Sequence, residues 1–118
     1  MPPDVDDAAR LWDMLTYARE VITTAGAVSF DAYMADKTLR LATERRIEII
    51  GEAARHVSTG FQEAHPEIPW QKVAAQRHVI AHEYGDIKHE LIFRVVQVHV
   101  PQLIPLLEPL VPPPPSSE

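Results

Sequence analysis

Asp36-Lys37-Thr38-Leu39-Arg40-Leu41-Ala42-Thr43-Glu44-Arg45-Arg46-Ile47-Glu48-Ile49-Ile50-Gly51-Glu52-Ala53-Ala54-Arg55-His56-Val57-Ser58 is the stretch that decides the fold class. Its apolar residues Leu39, Ala42, Ile49, Ile50, Ala53 and Val57 recur at helical steps, and Asp36 is a side chain that caps a helix start. One long helix is expected, ending near Val57 or Ser58, with that apolar set as its buried face. Arg45, Glu48, Glu52 and Arg55 make a second, polar line at steps of three and four, which reads as a solvated face with ion pairs. Gly51 in a helix interior costs about 1 kcal/mol relative to alanine, so another backbone is expected to pass close to it.

The same period extends in both directions. Upstream, Leu11, Met14, Leu15, Ala18, Val21 and Ile22 form a single stripe on a helix capped by Asp4 or Asp6 and stopped by Gly26. Ser29 to Met34 reads as one short turn capped by Ser29. Downstream, residues 59–68 form a connection with one irregular turn around Phe61 to Ala64. Pro69 suits the first position of a third helix, where its missing N–H costs nothing. That helix carries Trp70, Val73, Ala74, Ile80 and Ala81, and Gly85 ends it. Asp86 caps a fourth helix from Ile87 to about Val100, with Leu91, Val95 and Val98 inward. Pro101 then opens a short final helix that Pro105 kinks. The expectation is all-α: an antiparallel four-helix bundle with short extra helical turns, over residues 1–111, followed by a disordered Pro-rich tail at 112–118.

The formal net charge of -6 argues against a protein that coats nucleic acid through a basic surface, though a local basic cleft is compatible with it. The absence of cysteine removes disulfides and thiolate metal sites and makes a reducing cytoplasm the expected compartment. Neither a signal peptide nor about 18 uninterrupted apolar residues is present, so no membrane association is expected.

Chemistry concentrates in Arg77-His78-Val79-Ile80-Ala81-His82-Glu83-Tyr84, an arginine, a histidine and a tyrosine at R-x4-H-x-Y spacing. A guanidinium, an imidazole and a phenol together can hold a phosphate, stabilise its developing charge and move a proton. Residues five apart on a regular helix are separated by about 140° around the axis, so Arg77 and His82 do not stack on one face. Three solutions remain: the helix ends or widens near His82, the arginine side chain swings over, or a two-fold dimer builds one cleft from two copies. Arg77 shares a stripe with Trp70, Val73, Ile80 and Tyr84, where an unpaired charge is costly. It therefore either meets Glu48 or Glu52 on a neighbouring helix or faces a cleft that takes an anion. His78 and His82 have the i, i+4 spacing of a zinc pair, but no third ligand stands at a telling distance, and no metal or other cofactor is expected. A carboxylate at Glu52, beside Gly51, is placed to orient Arg77 or His82.

Three segments together resemble the HepT-like family of HEPN-domain proteins, small all-helical bacterial and archaeal toxins. They are Glu44 to Ala54, similar to the family's R-x-x-x-I-I-G-E-A segment; Pro66-Glu67-Ile68-Pro69-Trp70, similar to its P-x-I-P-W lead-in to the third helix; and Arg77 to Tyr84, which matches R-x4-H-x-Y without departure. The resemblance covers roughly residues 5–110. It implies a HEPN-type bundle, a two-fold dimer with both R-x4-H motifs in one cleft, and metal-independent cleavage of RNA. It further implies Arg77 and His82 as catalytic residues, and Tyr84 as the site where an MntA-type minimal nucleotidyltransferase antitoxin adds AMP. Glu52 matches a family position, and on the helix geometry above it, with Arg45 on the same line, would orient them from the second helix. The expected partners are thus RNA, the antitoxin and a second copy of the chain, with no DNA and no membrane.

Overall fold

A computed structural model describes residues 2–81 and 89–113, and for residues 77–81 the backbone only. Local sequence signals set the starts of the first four helices. Asp4, the cap of α1 (Val5–Ala25), accepts from the Asp7 N–H at 2.7 Å. Ser29 accepts from the Ala32 N–H to open α2 (Phe30–Ala35), and Asp36 accepts from the Leu39 N–H to open α3 (Lys37–His56). Ser58 does the same for α4 (Thr59–Ala64) through the Phe61 N–H. Each such cap stabilises its helix by about 1 kcal/mol. Gly26 ends α1 without a left-handed turn, at φ -67°, and a Cβ there would crowd the Ile22 carbonyl oxygen at 2.6 Å.

The third helix, α5 (Trp70–Ala81), begins one residue later than the proline rule suggests. Pro69 stands just before it, its carbonyl accepting the first helical bond from Val73. The last helix departs further from expectation. The helical path is continuous from His89 to Leu107, as α6 (His89–Arg94), a widened π-helical turn (Val95–His99) and α7 (Val100–Leu107). Pro101 thus lies inside a helix rather than opening a separate one. Proline lacks the N–H for an α ladder, and its ring collides with the carbonyl four residues back. The widened turn occupies those preceding residues, and the Val100 N–H reaches back to the Val95 carbonyl.

This path also shifts the inward face. Ile92, Val95, Val96, Val100, Leu103 and Leu107 are buried, whereas Leu91 and Val98 are 46% and 36% exposed. The expected Leu91 and Val98 positions are corrected accordingly: before the widened turn Ile92 takes the inward place next to Leu91, within the turn the extra residue carries Val98 outward, and only Val95 of the expected three faces the core. By length and composition the His89–Leu107 helix, 19 residues at mean hydropathy 1.2, meets the minimum for crossing a membrane. The run is not uninterrupted, since Glu90, Arg94, Gln97, His99 and Gln102 lie within it, and a core helix of this length passes the same measure.

The long helices run antiparallel. Arg46 of α3 pairs with Glu20 of α1 at 3.0 Å, while Asp7 at the start of α1 reaches Ser58 beyond the end of α3. α7 lies against α1 in the same opposed sense, Glu108 pairing with Arg19 at 2.9 Å and Gln97 donating to the Ala25 and Gly26 carbonyls. α5 packs on the other side of α3. Four main helices therefore surround one core, with α2 and α4 as short extra turns, and no strand occurs among the described residues.

The α1 stripe is buried as expected, except that Ile22 is only half-buried and Asp7 and Ala25 join it. On α3, Ile50, Ala53 and Val57 are buried, but Leu39, Ala42 and Ile49 are half-buried. Thr43, Glu44, Ile47, Gly51 and Ala54 complete the buried face instead. A helix packed on both sides needs a broader buried face than one stripe supplies. The tail residues 114–118, along with Gly85, Asp86 and Ile87, lie outside the described residues.

Candidate functional site

The Pro66–Trp70 lead-in locks the start of α5. Ile68 and Trp70 are buried, and the Trp70 indole N–H donates to the His65 carbonyl at 2.9 Å. Phe61 of α4 meets the Trp70 ring edge-on at 6.3 Å and lies against the His65 ring at 4.4 Å. This fixes the rotation of α5 about its axis. Trp70 and Val73 face the core at 6% and 3% exposure, and Arg77 follows four residues after Val73 on the same stripe. The backbone therefore brings the Arg77 position to the inward side of α5. The Arg77 side chain, and His82 and Tyr84 altogether, lie outside the described residues.

A groove of about 440 Å³ separates α5 from the last helix, with Val73, Leu103 and Leu106 in its floor and Lys72, Gln76 and His99 at its edges. It runs beside the α5 turn immediately before Arg77.

The polar line of α3 is an ion-paired surface. Arg45 and Glu48 stand 3.6 Å apart, and Glu52 holds Arg55 at 2.9 Å and His56 at 2.8 Å among its interactions. These side chains are about half exposed, so each pair adds at most about 1 kcal/mol. Among the described residues no group of three His, Asp or Glu is placed to hold a metal ion.

Beyond the motif, the described part of α6 opens on His89, beside Glu44 of α3. His89 Nδ1 is 3.9 Å from Glu44 Oε2, and the Phe93 ring sits 5.3 Å from Phe30 and 5.4 Å from Tyr33. Burial raises the Glu44 pKa above the usual carboxylate value; His89 and Arg40 oppose that shift and Glu48 adds to it. Burial, with the Glu44 charge beside it, pushes the Tyr33 phenol up to about 12. Sequence reasoning assigned Tyr33, Glu44 and His89 no role. The signal was available for Glu44: it precedes Ile47 by three and Gly51 by seven, which puts it on the buried face of α3.

The framework thus brackets the motif, with α5 leading into it and the Glu44–His89 contact receiving the chain after it. The profile described as ribonuclease HepT-like matches residues 14–110. A candidate RNase of Methanocaldococcus jannaschii is 33% identical over 98 residues, covering 83% of this chain and 90% of the relative. A second from that organism is 31% identical over 109 residues, 92% of this chain and 90% of the relative. The probable ribonuclease HepT of Thermococcus cleftensis is 33% identical over 76 residues, covering 64% and 69% respectively. No solved structure matches the chain. With a family match spanning most of its length and all four main helices, this chain belongs to the ribonuclease HepT-like family.

Proposed function

We propose that the chain is a metal-independent endoribonuclease of HEPN type, the toxin of a toxin–antitoxin pair. The observation that carries this reading is an intact R-x4-H-x-Y sequence at Arg77, His82 and Tyr84 inside the matched family region. The names of the relatives, all ribonucleases or candidate RNases, point the same way.

In this reading His82 takes the proton from a ribose 2′-hydroxyl, whose oxygen attacks the adjacent phosphorus. The P–O5′ bond breaks, the departing 5′-oxygen takes up a proton, and the products end in a 2′,3′-cyclic phosphate and a 5′-hydroxyl. Arg77 donates hydrogen bonds to the non-bridging oxygens as charge gathers on them. The 140° offset expected on one regular helix favours a cleft built from two copies of the chain around a two-fold axis. Glu52, with Arg45 on the same face, is assigned the orienting role. An MntA-type nucleotidyltransferase would silence the enzyme by adding AMP to Tyr84, placing negative phosphate and bulk where RNA phosphate must bind. The site of action is the cytoplasm, where RNA and ATP are both available.

A second reading rests on the net charge of -6, which disfavours RNA affinity over the general surface. There the chain is a non-catalytic subunit of a nucleotidyltransferase complex. Incubation of purified protein with RNA in EDTA separates the two. Cleavage that disappears in Arg77→Ala and His82→Ala supports the ribonuclease. No cleavage by wild type, together with recovery of a nucleotidyltransferase on pull-down, supports the subunit. Intact mass after co-expression with the antitoxin tests the regulation: additions in AMP units are expected, absent in Tyr84→Phe.

A further inference from the structure

The groove between α5 and the last helix, about 440 Å³, is not used by the proposed chemistry. Small-ligand sites are of this size, roughly 300–1,000 Å³, and share its plan of an apolar floor with a few polar groups. Val73, Leu103 and Leu106 supply the floor. Lys72 and Gln76 line it from α5, His99 and Gln102 from the last helix. None of these four side chains makes a hydrogen bond or ion pair among the described residues. Unlike Tyr33 Oη and Thr43 Oγ1, which are buried in the core without a partner, they reach water and can exchange it for a ligand. The carboxylate at the rim, Glu67, is taken up by His65 Nδ1 at 3.2 Å, which leaves the Lys72 ammonium unpaired.

An unpaired cation, two amides that both donate and accept, and an apolar floor match the parts of one nucleotide: phosphate, base edge and base face. The groove is also continuous with the motif. Gln76 immediately precedes Arg77, and Val73 in the floor lies on the Arg77 stripe, four residues or about 6 Å of helix axis away. A strand with its scissile phosphate at the Arg77 position has its adjoining nucleoside within reach of the groove. We propose that this groove binds a nucleoside of the RNA strand beside the cut. Its base lies on the Val73, Leu103 and Leu106 floor, Gln76, His99 and Gln102 read its edge, and Lys72 holds the phosphate beyond. A base must be unpaired to lie there, so the substrate class is single-stranded RNA. This rests on the ribonuclease reading above.

The test measures binding of single-stranded RNA by fluorescence anisotropy in EDTA, in a His82→Ala background that lacks the proposed base. KM, kcat and product ends are measured with His82 present. Lys72→Ala is compared with Lys37→Ala, which removes the same charge at the start of α3. Lys72→Ala is expected to weaken binding about 3- to 10-fold and to lower the slope of log affinity against log salt by about 0.7, the share of one phosphate on a single strand. Lys37→Ala should change neither. Gln76→Ala and Gln102→Ala should raise KM by about 3- to 20-fold with kcat within about twofold, and should alter which bases flank the cut. A duplex of the same sequence should bind at least about 10-fold more weakly than the single strand. None of the three groove side chains is buried, so the variants should melt within about 2 °C of wild type. Lys72→Ala that binds like Lys37→Ala overturns the proposal, as do glutamine variants with wild-type KM and cut sites, or a duplex that binds as well as the single strand. Groove variants that keep RNA binding but no longer recover the nucleotidyltransferase on pull-down also overturn it, making the groove a protein-docking surface. Wild type that cleaves no RNA overturns the ribonuclease reading itself, whereas wild type that cleaves, with groove variants that bind and cleave equally, overturns this inference alone.

Discussion

Asp7 and Ser58, 51 residues apart in the chain, are joined by two hydrogen bonds: Asp7 accepts from the Ser58 backbone N–H at 2.8 Å and from its hydroxyl at 2.6 Å. The carboxylate is 5% exposed, so it ties the first turn of α1 to the cap of α4 at a buried point. Ser58 in turn caps α4, whose Phe61 braces Trp70 at the start of α5. Asp7→Ala removes two charge-assisted hydrogen bonds to Ser58, an exposed residue, and is expected to destabilise the protein by about 1 to 3 kcal/mol. Thermal melting should show a Tm lower by on the order of 10 °C. A Tm within about 2 °C of wild type would contradict this account.

The shifted face of the last helix makes opposite forecasts for neighbouring residues. Ile92 is 1% exposed and Leu91 is 46% exposed. Ile92→Ala should cost about 2 to 5 kcal/mol, since it leaves a cavity among packed side chains. Leu91→Ala and Val98→Ala should each stay within about 0.5 kcal/mol of wild type. Chemical denaturation of the three variants decides the register, and the reverse order of costs would restore the inward Leu91 and Val98 of the simple periodic reading.

Tyr33 links the core to alkaline pH. Its phenol keeps its proton up to about 12 in the folded protein, against 10.0 for the free side chain. Between those values the unfolded chain releases this proton and the folded chain does not. Stability is therefore intact below pH 10 and is lost as pH rises toward 12, by on the order of 2 kcal/mol from this group. Tyr33→Phe removes the titrating group and its unpaired buried oxygen. The variant should be at least as stable at pH 7 and should lack this part of the alkaline loss, as denaturation at stepped pH would show.

Arg77 and His82 should behave as one unit. Either alanine variant is expected to reduce RNA cleavage by about 100- to 10,000-fold, and the double variant by little more than the worse single one. Arg45→Ala, which removes only an exposed pair with Glu48, should leave the Tm unchanged within about 2 °C, and any loss of cleavage in it would then report on orientation. Additive losses in the Arg77 and His82 double variant would indicate that the two residues serve separate steps.

Much of the fold is legible because its signals are local. The capping residues Asp4, Ser29 and Asp36 each take the backbone N–H three residues on, as their side chains predict. The stripe on α1 reads correctly because that helix turns one side to the bundle. α3 reads less well, since it is covered by α1 and α5 together and its buried arc takes in Thr43 and Glu44. The last helix defeats the periodic reading because a π turn carries no compositional mark of its own, and Pro101 reads as a start rather than as its companion. At the candidate site, motif spacing identifies Arg77, His82 and Tyr84 with no need of tertiary structure. Glu44, Tyr33 and His89 escape that reading because their association joins residues from three helices, and no spacing along the chain encodes it.

The widened turn at Val95–His99 and Pro101 are two halves of one length adjustment. A π turn is an α turn with one residue more, so the helix could shed a residue there and still reach Leu107 in phase with the core. It could not do so while Pro101 remained, because an unwidened ladder would bring the carbonyl four residues back into the ring. Deleting a residue from this turn is therefore damaging while Pro101 remains, and the helix of this chain can be shortened there only if Pro101 is replaced in the same step.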